Sequence, residues 1–298
     1  MKKNILIACL AALSFTACKK IKVEAPSFDV TTAKTTYKVG DTVLFNFIGN
    51  PDLITVYQGV PGADYTNRTR TTADGTPNFN FTSYIQNAGE ANTLRVMIST
   101  NFNGNYDAAG IAAATWTDIT SSATLSTGTD NTASGTIDLT PYKVAGKSTY
   151  IAYKYVGYNH ATLKQPTWTI RTFNVNNVLA NGLVSVVSAV AQIGWKAVDI
   201  KNPTVFWSTP ATGQASINGT VLGSTADDNE DWIISRPLNL SAVTPDAGLG
   251  LKNGSTYLPN YSYKYTTAGT YTATFIARNT SVDESAEVVK QIQLTIAP

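Results

Sequence analysis

The sequence predicts an all-β protein: an immunoglobulin/PKD-like β-sandwich interrupted by an inserted jelly-roll β-sandwich. Three observations carry this. Charged residues make up 14% of the 298 residues, while Thr, Asn, Gly and Tyr are plentiful, a composition that favours strands over helices. Short stretches alternate apolar and polar residues between Gly-, Asn- and Asp-rich turns. All five tryptophans fall between residues 116 and 232 and none in the flanks, which marks the middle as a domain of its own.

The chain opens with a leader. Met1-Lys2-Lys3 is positive, and Ile5 to Phe15 is apolar but too short to span a membrane, which takes about 20 apolar residues. Thr16-Ala17-Cys18 follows, and small residues before a Cys resemble a bacterial lipobox. The resemblance implies cleavage after Ala17, diacylation of Cys18 and N-acylation of the new terminus. The expected address is the outer membrane, lipid-anchored, at the cell surface or on the periplasmic face. A plain secretory leader is the simpler alternative. Residues 1–17 are then the signal peptide and 18–25 a tether. Losing Lys2 and Lys3 brings the net charge from +2 to zero. A nucleic-acid partner, which requires a basic surface, is not expected. With Cys9 removed and Cys18 acylated, no disulfide is expected.

The first flank, residues 26–62, holds a turn at Lys38-Val39-Gly40-Asp41 and a strand over 42–48, with Val43, Phe45 and Phe47 on one face. A short strand over 53–57 follows, and these strands are too few to cover their own apolar faces. In the second flank, 241–298, Tyr261, Tyr263 and Tyr265 alternate, as do Tyr271, Ala273, Phe275 and Ala277. Ile292, Leu294 and Ile296 form a last strand. The flanks are therefore expected to pair as one discontinuous sandwich around residues 63–240.

In the middle, strands are expected at 94–99, 116–119, 134–139, 150–156 and 168–175. The last is expected to bulge near Arg171, where the apolar face switches from Trp168/Ile170 to Phe173/Val175. Residues 178–193 read as a short helix or irregular cover.

Family resemblances attach to specific stretches. Gly269-Thr270-Tyr271-Thr272-Ala273-Thr274-Phe275 and Tyr37-Lys38-Val39-Gly40-Asp41-Thr42-Val43 resemble strands of PKD-type modules. Asp231-Trp232-Ile233-Ile234-Ser235-Arg236-Pro237-Leu238-Asn239-Leu240 resembles a strand of the choice-of-anchor, or cleaved-adhesin, jelly rolls, where it comes early rather than last. With Asp52-Leu53-Ile54-Thr55, Ala114-Thr115-Trp116-Thr117-Asp118-Ile119, the Gly157–Arg171 run and Asp228-Asn229-Glu230-Asp231-Trp232, the chain resembles the Bacteroidetes lipoproteins of the domain-of-unknown-function family 5017. That resemblance implies an envelope address and no particular activity.

Chemistry is sparse. His160 is the single histidine, so a zinc site of several His or Cys ligands is excluded, and no Gly-x-Ser-x-Gly accompanies it. It reads as a loop residue bonded to nearby backbone. No phosphate loop or dinucleotide fingerprint occurs. Asp227, Asp228 and Glu230 lie in the densest acidic run, where clustered oxygens suit Ca²⁺ in a structural role; the alternative is a solvated loop. Tyr158, His160, Lys164 and Trp168 form the candidate ligand-binding set. Tyr153, Tyr155 and Trp207 are further aromatics that could stack on a sugar or simply fill a core. The expected function is non-catalytic binding at the cell envelope, of a glycan by analogy with jelly rolls. An adhesin or structural protein-binding component is second, and a hydrolase with dispersed carboxylates third.

Overall fold

The computed structural model describes residues 22–87, 89–160, 162–219, 227–254 and 256–298. Cys18 lies outside them. The chain is all-β, with two compact units. The first comprises the described part of Met1–Thr69 with Pro245–Pro298, and the second Arg70–Thr244. The junctions fall a few residues beyond Gly62 and Leu240.

The first unit is a sandwich of two sheets. The strand Thr42–Ile48 lies between Asp29–Thr31 and Asn260–Lys264 in a three-stranded sheet. The facing sheet runs in the order Leu249–Asn253, Leu53–Tyr57, Gly269–Thr280, Ser285–Ala297, Thr36–Lys38. Strict alternation over Thr42–Ile48 buries Val43, Phe45 and Phe47 and exposes the residues between them. They meet Ile54, Val56, Phe275 and Leu294 of the other sheet, with Phe45 and Phe275 ring centroids 5.0 Å apart. Gly40 turns the chain at φ +84°, and Asp41 accepts a hydrogen bond from the Lys38 N–H at 3.0 Å.

The second unit packs a five-stranded sheet on a seven-stranded one. The five-stranded order is Lys196–Lys201, Asn229–Ile234, Tyr150–Gly157, Leu94–Ser99, Thr117–Asp118. The other sheet is built on the long pair Thr167–Val178 and Thr76–Gln86. Tyr153, Tyr155, Leu94, Val96 and Ile233 face Phe79, Phe81, Trp168, Phe173 and Ile217 across a closed core. The expected bulge is present: register shifts between Ile170 and Thr172, so that Trp168, Ile170, Phe173 and Val175 all point inward. The outer face of the five-stranded sheet is covered by Phe102, Trp116 and the helix Ala108–Ala113, which Asp107 caps.

One expectation is corrected. Val184–Ala189, inside the stretch read as a helix or irregular cover, is a strand paired with Thr167–Val178, and only Val190–Gln192 turns helically. Its β-branched residues alternate, with Ser185 and Val187 inward and Val184 and Val186 exposed. The expected strands at 116–119 and 134–139 shrink to two-residue pairings, Thr117–Asp118 and Ile137–Asp138.

Two outcomes test this organisation. A fragment covering residues 70–244 should fold alone, giving a cooperative thermal transition and dispersed amide resonances, because among the described residues its core draws on none outside it. In the intact chain, Phe45→Ala should destabilise the first unit by roughly 3–5 kcal/mol, the usual range for emptying a buried phenylalanine site. Denaturant titration followed by tyrosine and tryptophan fluorescence would show whether the tryptophan-bearing unit is left unchanged.

Candidate functional site

Antiparallel pairing brings one set of strand ends together in the second unit. Tyr155 lies opposite Leu94 and Asp231, Gly157 opposite Asn229, Lys201 opposite Glu230, and Thr167 opposite Gln86. The segments around residues 87–93, 158–166 and 227–228 therefore share one end of the sandwich.

Gln165 joins two of these segments. Its side-chain amide donates to the Tyr158 carbonyl at 3.2 Å and to the Asp227 carbonyl at 2.8 Å. A Cβ on Gly157 would run into the Gln165 side chain, which would have to shift to admit it. Tyr155 is buried with its hydroxyl donating to the Pro166 carbonyl at 3.0 Å. Burial, with the nearby Glu90 and Asp231 carboxylates, raises its pKa.

Beside this junction lies a cavity of about 450 Å³. Ile85, Leu94, Leu125 and Trp168 supply apolar wall, while Glu90, Asn92, Thr93, Arg95 and Ser126 supply polar groups. Glu90 is 7% exposed and accepts the Tyr158 N–H at 3.1 and 3.3 Å through its two oxygens. Trp168 is 4% exposed, and its indole N–H donates to the Thr93 hydroxyl at 2.9 Å. Arg95 reaches Asp118 at 3.4 Å.

The residues singled out from sequence separate. Tyr158 is exposed and held through its backbone on Glu90; His160 places Nε2 3.7 Å from the same carboxylate, beyond hydrogen-bond reach. Trp168 forms cavity wall, and Lys164 is exposed. Tyr153, Tyr155 and Trp207 fill the core and offer no face to a sugar. Asp227, Asp228 and Glu230 do not form one donor set. Asp228 accepts the Asn159 N–H at 2.8 Å and the Lys201 ammonium at 2.9 Å, and these hold its pKa below the ordinary carboxylate value. Glu230 points to the other face of its strand, onto Lys154 at 2.9 Å and the Trp232 indole at 3.0 Å. Burial would raise its pKa, but the bonds from Trp232 and Lys154 outweigh it and the net shift is downward. Among the described residues no group of three or more His, Cys, Asp or Glu side chains converges on one point.

Sequence reasoning missed Glu90, which reads as a solvated turn residue before a strand. It also missed Asp231 as distinct from its acidic neighbours. Period two places Asn229, Asp231 and Ile233 on one face, and Ile233 marks that face as the core. Asp231 is 1% exposed. Burial, reinforced by the negative charge of Asp199 directly across the strand pair, pushes its pKa up to about 8. Asn229 opposes this and Glu230 adds to it.

A family model described as Domain of unknown function (DUF5017) matches residues 17–195. The chain belongs to this family. The DUF5017 match takes in the first flank and the second unit as far as Trp195, including Glu90, Thr93, Arg95 and Trp168; Asp199 and Asp231 lie beyond it. No curated protein matches the chain.

The Asp231 environment has a signed consequence. A carboxyl whose folded pKa is raised from 3.8 to about 8 holds its proton in the folded state after the unfolded chain has lost it. Its contribution is fully present below about pH 4, falls as pH rises, and is gone above about pH 8. The slope is at most about 1.4 kcal/mol per pH unit. Urea unfolding across that window, in the presence of a chelator, should show the decline in wild type and a flatter profile in Asp231→Asn. Equal slopes in the two proteins would count against it.

Proposed function

We propose that this protein is a non-catalytic binding module held at the cell envelope by a lipid on Cys18, and that its ligand is a glycan. The observation that carries the binding reading is the cavity beside Trp168. Its volume of about 450 Å³ lies in the range of small-molecule sites. It combines apolar wall from Ile85, Leu94, Leu125 and Trp168 with the polar groups of Glu90, Asn92 and Arg95. Sugars present C–H faces that pack on apolar surface and hydroxyls that need directed partners, and this lining supplies both.

The address rests on the leader: the positive start, the short apolar run and the Thr16-Ala17-Cys18 step. Among the described residues no helix is long and apolar enough to cross a membrane.

A glycan array probed with mature protein, followed by calorimetry on the best binder, tests the ligand class. Glu90→Gln and Arg95→Ala should each weaken binding by at least about tenfold, the cost of losing a charge-assisted hydrogen bond. An array with no binder, or affinity untouched by both substitutions, would sink this site. Independently, metabolic labelling with palmitate should mark wild type and leave Cys18→Ser unlabelled.

A further inference from the structure

The inner face of the five-stranded sheet carries a polar group that the core around it does not explain. Asn229 and Asp231 point inward on the strand Asn229–Ile234, in line with the fully buried Ile233. Among the described residues neither amide atom of Asn229, which is 2% exposed, has a partner in hydrogen-bond geometry, although the amide lies beside the Asp231 carboxyl, and the Asp231 Oδ2 has none either. Buried polar atoms without partners are costly, and each calls for an explanation.

Asp199 adds the decisive feature. It lies directly opposite Asp231 in the antiparallel register, on the edge strand Lys196–Lys201. Opposed residues on one face have Cβ atoms about 4.5–5.5 Å apart, and like charges there repel. The strand bulges immediately afterwards, between Asp199 and Lys201. Lys201 then pairs with Glu230 in register and gives its ammonium to Asp228. Tyr155, the other cross-strand neighbour of Asp231, spends its hydroxyl on Pro166. The Trp207 indole N–H bonds the Asp231 backbone carbonyl at 3.5 Å rather than its side chain. The two facing carboxylates thus have no cation from the protein between them among these neighbours.

We propose that Asp199, Asp231 and Asn229 form a cation site of the calcium class, set into the inner face of the five-stranded sheet at its edge. Two carboxylates and an amide oxygen are hard oxygen donors, the type that calcium takes. Calcium accepts six to eight oxygens in flexible geometry, and water completes the shell on the side where Asp199 is exposed. One ion would displace the Asp231 proton to solvent, offset the repulsion between the two carboxylates and give the Asn229 and Asp231 oxygens a partner. The site differs from the acidic loop, where Asp228 and Glu230 are each held by a lysine. Its residues also lie apart from the cavity lining.

The test uses the full mature protein. Millimolar calcium should raise the melting temperature relative to chelator, saturably, since a ligand that binds only the folded state stabilises it. Terbium should bind the same site and luminesce through Trp207, with calcium displacing it. Asp231→Asn, which removes the carboxyl that an ion would deprotonate while keeping its shape, should abolish the thermal response, and Asp199→Asn should weaken it at least about tenfold in calcium. Asp228→Asn should leave it intact. No calcium response in wild type would overturn the proposal, as would a response that survives both Asp231→Asn and Asp199→Asn. A response lost in Asp228→Asn but kept in Asp231→Asn would move the ion to the acidic loop and equally overturn it. Should Asp231→Asn fail to fold, Asp199→Asn, at an exposed edge position, still decides the matter.

Discussion

Val43, Phe45 and Phe47 form an apolar stripe that their neighbours in sequence cannot cover. Thr42–Ile48 and Leu53–Tyr57 are adjacent in the chain but enter opposite sheets of the first unit, each needing strands beside it. Those strands come from the far end: Asn260–Lys264 pairs with the first and Gly269–Thr280 with the second. The first unit cannot close until the whole middle of the chain has been made. Loop-closure entropy grows only logarithmically with length, so a long intervening segment is tolerated if it folds by itself.

The second unit meets that condition through its own ends. Thr72 bridges Ala242, the Ala73 N–H donates to the Ser241 carbonyl, and the Val243 N–H donates to the Thr71 carbonyl. Chain entry and exit are clasped together before the long strands begin. The sandwich then concentrates irregular chemistry at one end, where strand termini meet. Glu90, Gln165, Asn229 and Asp231 are all buried there, against the ordinary preference for apolar interiors. Such local violations of core rules are where function is expected to reside.

The fold was largely legible in the sequence, the site much less so. The strand over 42–48 declares itself by alternation, the turn at Gly40 by its residue types, and the bulge at Arg171 by a switch of apolar face. All three are local signals, readable within a window of about ten residues. Val184–Ala189 was misjudged because a short Val-rich run without charge fits a helix and a strand equally; only its ladder with Thr167–Val178 decides.

What the sequence determined by itself is the class of the protein: all-β, with a tryptophan-rich middle between two flanks that need each other. Those properties depend on composition and on period two, which every residue carries locally. Tertiary structure alone decided which polar groups meet. Asp227, Asp228 and Glu230 are neighbours in the chain, yet Glu230 turns to Lys154 on the outer face while Asp231 turns inward to Asp199. Trp168 and Glu90 are far apart in the chain, yet line one cavity. The reason is geometric: successive side chains on a strand point to opposite faces, and their neighbours on each face are chosen by register with distant strands.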